Sequence, residues 1–214
     1  MELLENAMER QQIIDKNTKI EKIECYVEMI KSRRRWGGLV SKETALNLEG
    51  LIVDSIGMLQ VLSCGEPKSV VDIGSGSGIL GLVLAVMCPE WKVSMVESSG
   101  RKCAFLAEAK WAMEVENASV VRARAQSLVG AVQYDVAVSR AAGTISMIAP
   151  MALGLLRPGG RYVALKRRDI GSEVEDAGPV LSELGGEVVG IILPGSPPDW
   201  EAPGRTSLVA IDKM

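Results

Sequence analysis

Residues Val70 to Leu82 read VVDIGSGSGILGL, and the fold is decided there. Val70, Val71 and Ile73 make a short apolar run, the mark of a buried strand. Gly74, Gly76 and Gly78 follow as a turn, and a helix is expected from Ile79 to Met87. A plain strand-to-helix turn needs fewer glycines than this. Without Cβ atoms the chain takes dihedrals closed to other residues and lets a ligand approach the backbone. The helix after the turn aims unpaired N–H groups and a partial positive charge at whatever sits there. Asp72 stands at the tip of the strand. A second strand, KVSMVES, ends in Glu97, about 20 residues further on, as in a nucleotide-type cofactor site on a doubly wound sheet.

Two cofactor classes fit the glycine spacing. Gly76, Gly78 and Gly81 satisfy G-x-G-x-x-G, the pattern of a dinucleotide site in a nicotinamide-dependent oxidoreductase. The fuller pattern is D-x-G-x-G-x-G. A carboxylate at Asp72 facing the turn would repel a pyrophosphate. It suits an ammonium group or an ordered water, which S-adenosylmethionine would bring. Glu97 does not discriminate, because an acid there holds the ribose hydroxyls of either cofactor.

Composition narrows the classes. The chain has 214 residues, enough for one well-buried domain with an extension, and a net charge of −3, so no global basic character advertises nucleic acid. It has no histidine and four cysteines, Cys25, Cys64, Cys88 and Cys103, with no C-x-x-C. A metal site is therefore not expected, and the cysteines are expected as buried or free thiols in a reducing cytosol. The start, MELLENAMER, lacks a basic-then-apolar leader pattern, and no apolar run reaches membrane-spanning length. The expectation is a cytoplasmic protein without membrane contact. The lack of histidine removes the commonest general base.

Residues 1–66 read as a helical cap. Leu3, Leu4, Ala7 and Met8, then Ile20, Ile23, Val27 and Ile30, fall on three- and four-residue spacing, with no glycine or proline before Gly37. The segment ends in KSRRRWGG. Lys31, Arg33, Arg34 and Arg35 form the densest positive cluster, followed by Trp36. This is either a phosphate-contacting patch with an aromatic ready to stack on a base, or a solvated helix end. Helical spacing resumes over residues 43–62. Residues 67–214 read as the cofactor-binding domain, in which strands and helices alternate as in a mostly parallel sheet with helices on both faces. Strands are expected at Ser69–Ile73, Lys92–Glu97, Ser119–Arg122, Tyr134–Ser139 and Tyr162–Lys166. The last two, Glu187–Leu193 and Ser207–Asp212, are expected as an antiparallel hairpin at the sheet edge. The fold class is thus α/β, Rossmann-like, with seven strands.

In such sheets ligands lie beyond the carboxyl ends of the strands. Those ends collect Asp72 and the glycines, Glu97, the loop RARAQS, Arg140 and Lys166 to Arg168. In RARAQS the backbone of Ala125 and the amide of Gln126 could hydrogen-bond an adenine ring. Strand four, YDVAVSRA, leads to the substrate side. It lacks the N/D-P-P-Y/F segment used for adenine-N6 methylation. No cysteine lies near strands four or five to serve pyrimidine C5 chemistry. What remains is attack by a lone pair that needs no covalent help. Arg140 offers a planar donor fork to a carboxylate, a phosphate or the O6/N7 edge of guanine, or else forms a structural ion pair. Lys166, Arg167 and Arg168 either hold phosphates or face water.

From about Val70 onward the chain resembles the bacterial 16S rRNA guanine-N7 methyltransferases, also called glucose-inhibited division protein B. The resemblance lies in DIGSGSGILGLVLA, MVESSGRKCAFL, RARAQSL, YDVAVSRA, LRPGGRYVALK and RTSLVAIDK. It implies that Gly74, Ile79, Ala125, Gln126 and Arg140 contact S-adenosylmethionine. The sequence departs from the family at Gln126, where an acid is usual, at Gly50-Leu51, where an arginine–histidine pair is usual, and at Leu80, where a proline is usual. The expected activity is S-adenosylmethionine-dependent methylation of guanine N7 in 16S rRNA of the small ribosomal subunit. The alternatives are a methyltransferase for a small molecule or another RNA, and a binding module that has lost transfer.

Overall fold

A computed structural model describes residues 2–33, 39–140, 143–167, 170–192 and 206–214. Its centre is one seven-stranded sheet built from β1 (Ser69–Ile73), β2 (Lys92–Glu97), β3 (Ala118–Arg122), β4 (Tyr134–Arg140), β5 (Leu156–Arg167), β6 (Gly186–Ile192) and β7 (Thr206–Lys213). The spatial order is β3-β2-β1-β4-β5-β7-β6. The first five strands run parallel, and β7 runs antiparallel to both β5 and β6. The order reverses beside β1, which places the glycine turn at the crevice where such sheets bind ligands.

The antiparallel pair lies at the sheet edge, as the sequence leads one to expect. β7 inserts between β5 and β6, so the edge strand is β6. The burial patterns explain this. Leu208 to Ile211 of β7 are buried throughout, which suits an interior strand, whereas β6 alternates between partial and full exposure. β5 also starts earlier than its apolar run suggests, because Arg157-Pro158-Gly159-Gly160 continues the strand through an irregularity in its pairing with β4. Gly160 is required there, since a Cβ would lie 2.9 Å from the Arg157 carbonyl and 3.0 Å from the Asp135 carbonyl.

Period-two alternation in β1 sends Val70 to one face and Val71 and Ile73 to the other. The Val71 face packs on α7 (Ile145–Leu155) and α8 (Gly171–Glu183) around Ala137 and Tyr162. The Val70 face packs on α5 (Gly81–Met87) and α6 (Gly100–Ala112). The same core takes in α1 (Glu2–Arg10), α2 (Lys16–Arg33) and α4 (Leu48–Gly57), through Met8, Ile23, Ile30 and Ile52. A short α3 (Lys42–Leu46) precedes α4. The helical N-terminal segment therefore shares its core with the sheet. The long first helix expected from the sequence is two helices, broken at Gln12 (φ +52°) and Asp15 (φ +55°). The break contains no glycine or proline. Asp15 tolerates the left-handed region, and its carboxylate accepts a hydrogen bond from Thr18. Among the described residues no helix is long and apolar enough to cross a membrane.

The cysteines correct a second expectation. Cys64 and Cys88 are joined as a disulfide, and only Cys25 and Cys103 are free. Sequence spacing hid the pair because its two members are 24 residues apart. They meet because the turn before β1 folds back onto the end of α5, where the Gly65 N–H donates to Glu90 at 2.8 Å. Among the described residues, Cys64, Cys88 and Glu90 are also the only trio with metal-ligating proximity, and there the two sulfurs are bonded to each other. The covalent loop encloses β1, the glycine turn and α5. A loop of this length restrains the unfolded chain by about 3 kcal/mol, a Tm difference of roughly 6–12 °C for a domain of this size. Thermal unfolding with and without reductant is expected to show that loss in the wild type. The Cys64→Ser variant is expected to melt at the lower temperature under both conditions.

Candidate cofactor cleft

The site is built around the turn between β1 and α5. Gly74, Gly76 and Gly78 have φ of +71°, +60° and +90°, a region that side chains disfavour. Space adds a second constraint at Gly78, where a Cβ would lie 2.6 Å from Leu106 and 2.8 Å from Leu82. This places the third glycine against the core, with Ile79 buried beside it, while Gly74 is exposed and Gly76 half-buried.

Polar groups fix the turn from three sides. Asp72 points to the α5 face, as its place two residues after Val70 dictates. Its carboxylate accepts the Gly81 N–H at 3.1 Å and so caps the start of α5. From the tip of β2, Glu97 accepts the Gly76 N–H at 3.0 Å and the Ser99 N–H at 2.8 Å. From α2, the Tyr26 hydroxyl donates to the Ser77 carbonyl at 3.0 Å. The far end of α5 is held as firmly: Lys19 donates to the Met87 carbonyl at 2.9 Å, and Asn117 donates to the carbonyls of Ala85, Cys88 and Trp91. α5 is short and wholly buried, so its terminal groups need partners from the protein itself.

Burial sets the charge states. Asp72 is 1% exposed, and desolvation pushes its carboxyl up to about 6, against the pull of Ser75, the Gly81 N–H and Arg140. Burial also raises the carboxyl of Asp54, on α4, and the hydroxyl of Tyr26, and it lowers Arg140. Tyr26, Asp72 and Asp54 all act on Arg140, so one guanidinium is set against two carboxyls in a secluded place. A guanidinium stays charged there.

One cleft is lined by Asp72, Gly74, Gly76 and Arg140 from the sheet side and by Leu39, Val40, Ser41 and Thr44 from the N-terminal segment. The structure thus brings together Asp72, the first two glycines and Arg140, and joins Glu97 to them through Gly76. Ala125 is buried and Gln126 exposed on a 3-10 turn beyond β3. Arg34, Arg35 and Arg168 lie outside the described residues. Arg33 is the last residue of α2 and Arg167 the last of β5. Lys166 departs from its expected place among phosphate contacts. It is 8% exposed, and its ammonium meets Glu173 at 2.7 Å and the Gly143 carbonyl, so its charge is already matched inside the protein.

Sequence reasoning missed Tyr26, Lys19 and the Leu39–Thr44 wall. Tyr26 did leave a trace. It sits on the buried stripe between Ile23 and Ile30, where a hydroxyl needs a partner. Nothing in the sequence names the partner, which lies 51 residues away.

A pH prediction follows from Asp72. Its folded-state value of about 6 stands above the unfolded value of 3.8, so the folded state binds the proton more tightly. Stability from this group is full below the unfolded value, falls by about 3 kcal/mol between pH 4 and pH 6, and is flat above. Urea unfolding of wild type and Asp72→Asn across that range is expected to show the fall in the wild type alone. Parallel profiles would contradict it.

Comparison with known proteins agrees with this geometry. The family profile for rRNA small subunit methyltransferase G (GidB) matches residues 19–191. The ribosomal RNA small subunit methyltransferase G of Roseiflexus sp. (strain RS-1) is 35% identical over 189 residues, covering 82% of this chain and 80% of the relative. Among solved structures, a protein from Listeria monocytogenes assigned as a class I S-adenosylmethionine-dependent methyltransferase superposes with a TM-score of 0.65 at 12% identity, covering 87% of this chain and 65% of that one. M. jannaschii TYW2, in complex with AdoMet, superposes with a TM-score of 0.55 at 16% identity, covering 78% and 74%. The two structures establish the class I methyltransferase fold, and the profile match over most of its length establishes that this chain belongs to the rRNA small subunit methyltransferase G family.

Proposed function

We propose that the protein transfers a methyl group from S-adenosylmethionine to N7 of a guanine in 16S rRNA, with the small ribosomal subunit as partner and the cytoplasm as the place of reaction. The observation that carries this reading is that the glycine turn, Asp72 and Arg140 face one cleft in a chain of this family.

The residues fit the cofactor. A Cβ at Gly76 would meet nothing closer than the Gly74 carbonyl at 3.8 Å, so the outer side of the turn is open backbone. Asp72 offers negative charge to an ammonium. Glu97 gives one acceptor site per oxygen to backbone N–H groups and keeps lone pairs for ribose hydroxyls. Ala125 and Gln126 are assigned to the adenine edge, with Gly74 and Ile79 on the turn itself. When bound, the cofactor supplies a methyl carbon made electrophilic by its sulfonium.

Guanine N7 carries an in-plane lone pair. As the N7–methyl bond forms, the sulfur keeps the pair from the broken bond, and no proton leaves N7. No general base is needed, in keeping with a chain that has no histidine. Catalysis then rests on alignment, which the cleft supplies by orienting both reactants. Arg140 binds the cofactor or the target base with its fork. Arg33, Arg34, Arg35, Arg167 and Arg168 are assigned to rRNA phosphates.

Methyl transfer from labelled S-adenosylmethionine to small subunits lacking the modification tests the reading. Label is expected in 7-methylguanosine after nucleoside digestion. Label in another nucleoside, or none despite cofactor binding, would overturn the assignment. Changing Arg33, Arg34 and Arg35 together to Glu is expected to weaken subunit binding at least tenfold and flatten its salt dependence. Calorimetry is expected to show cofactor affinity within twofold of wild type. A tenfold loss of cofactor affinity would instead place these arginines in the cofactor site.

A further inference from the structure

One polar cluster beside the cleft is used neither by the glycine turn nor by the proposed phosphate contacts. Lys166, near the end of β5, is buried, and its ammonium reaches Glu173 at 2.7 Å and the Gly143 carbonyl. Glu173 lies in the first turn of α8. The same carboxylate oxygen accepts the N–H of Ile145, the first residue of α7, at 2.7 Å. Two further features fix this entry to α7. Gly143 has φ +141°, which favours glycine, and the Thr144 hydroxyl caps the Met147 N–H at 3.3 Å. Gly143 and Ile145, three and five residues past Arg140, are therefore held, the first by the lysine and the second by the glutamate.

Charge makes this tie selective. A neutral side chain at 173 could still accept the Ile145 N–H. Only a carboxylate can do so while neutralising a buried ammonium that also holds Gly143. Removing Glu173 leaves the Lys166 ammonium buried and without its counter-charge, which costs more than losing an exposed pair would.

We propose that Glu173 and Lys166 are positioning residues that latch the entry to α7 and thereby fix Arg140 over the cleft. The latch rests on the methyl-transfer reading of the cleft. It assigns Lys166 an internal task and gives Glu173, which no motif marks, a place in the reaction. Neither residue lines the cleft, so their loss acts on it through Arg140.

The test uses the full chain with Glu173→Gln, Lys166→Met and the double variant. In each, kcat for methyl transfer to small subunits is expected to fall tenfold or more. The double variant is expected to lose little more than either single one. Glu173→Asp is expected to recover part of the rate. A second readout does not depend on the substrate. The Ile145 amide is expected to exchange faster with solvent in Lys166→Met, and the Arg140 Nε–H resonance to shift in both single variants. An unmoved Arg140 resonance overturns the latch whatever the substrate proves to be. Unchanged kcat in folded variants overturns it as well. Wild type that fails to label subunits, with the Arg140 resonance still responding to both substitutions, contradicts the rRNA assignment and supports the latch.

Discussion

Everything in the site depends on one hydrogen bond, from the Gly81 N–H to the buried carboxylate of Asp72. The start of a helix has N–H groups with no partner inside the helix, and at α5 that start is enclosed by protein. Asp72 supplies the acceptor, and its place in β1 aims it there. The cost is a carboxyl held far from water, with its pKa pushed up to about 6. Arg140 stands near enough to offset that cost, so the strand that carries the acid and the strand that carries the arginine must be neighbours. They are, with Asp72 level with Val138 across the β1–β4 pairing. The sheet order, the turn and the two charges thus answer one requirement.

The N-terminal helices meet the same requirement from the other side. Tyr26 and Lys19, both on α2, reach the glycine turn and the far end of α5. Residues just beyond α2 wall the cleft. The segment that reads as a cap in the sequence is, in the packing, a support of the cofactor turn. Because its apolar residues share a core with Val70 and Leu82, loosening it would be felt at the turn.

Local chemistry made much of this legible in advance. The strand–glycine–helix unit announces itself because each residue serves its own neighbourhood: apolar for the strand, Cβ-free for the turn. Asp72 and Glu97 are readable because they end strands. Arg140 is readable because it ends strand four, on the side where such sheets bind ligands. Contacts between distant segments were not legible. Tyr26 gives no sign that Ser77 is its partner, and Cys64 none that it will meet Cys88. Lys166 reads as one more cation in a run, yet it is buried and finds Glu173. The place of β7 was hidden for a different reason. An apolar strand reads the same at an edge as inside a sheet until its neighbour's exposure is known.

The central claim is that the glycine turn between β1 and α5 holds S-adenosylmethionine, with the N-terminal helices as its support. Titrating the isotope-labelled protein with S-adenosylmethionine and following backbone amides by NMR tests this most directly. The account predicts that the amides of Gly74, Gly76 and Gly78 shift first and most, together with Ser77 and the Leu39–Thr44 wall. Saturable shifts centred elsewhere, with the three glycines unmoved, would contradict it.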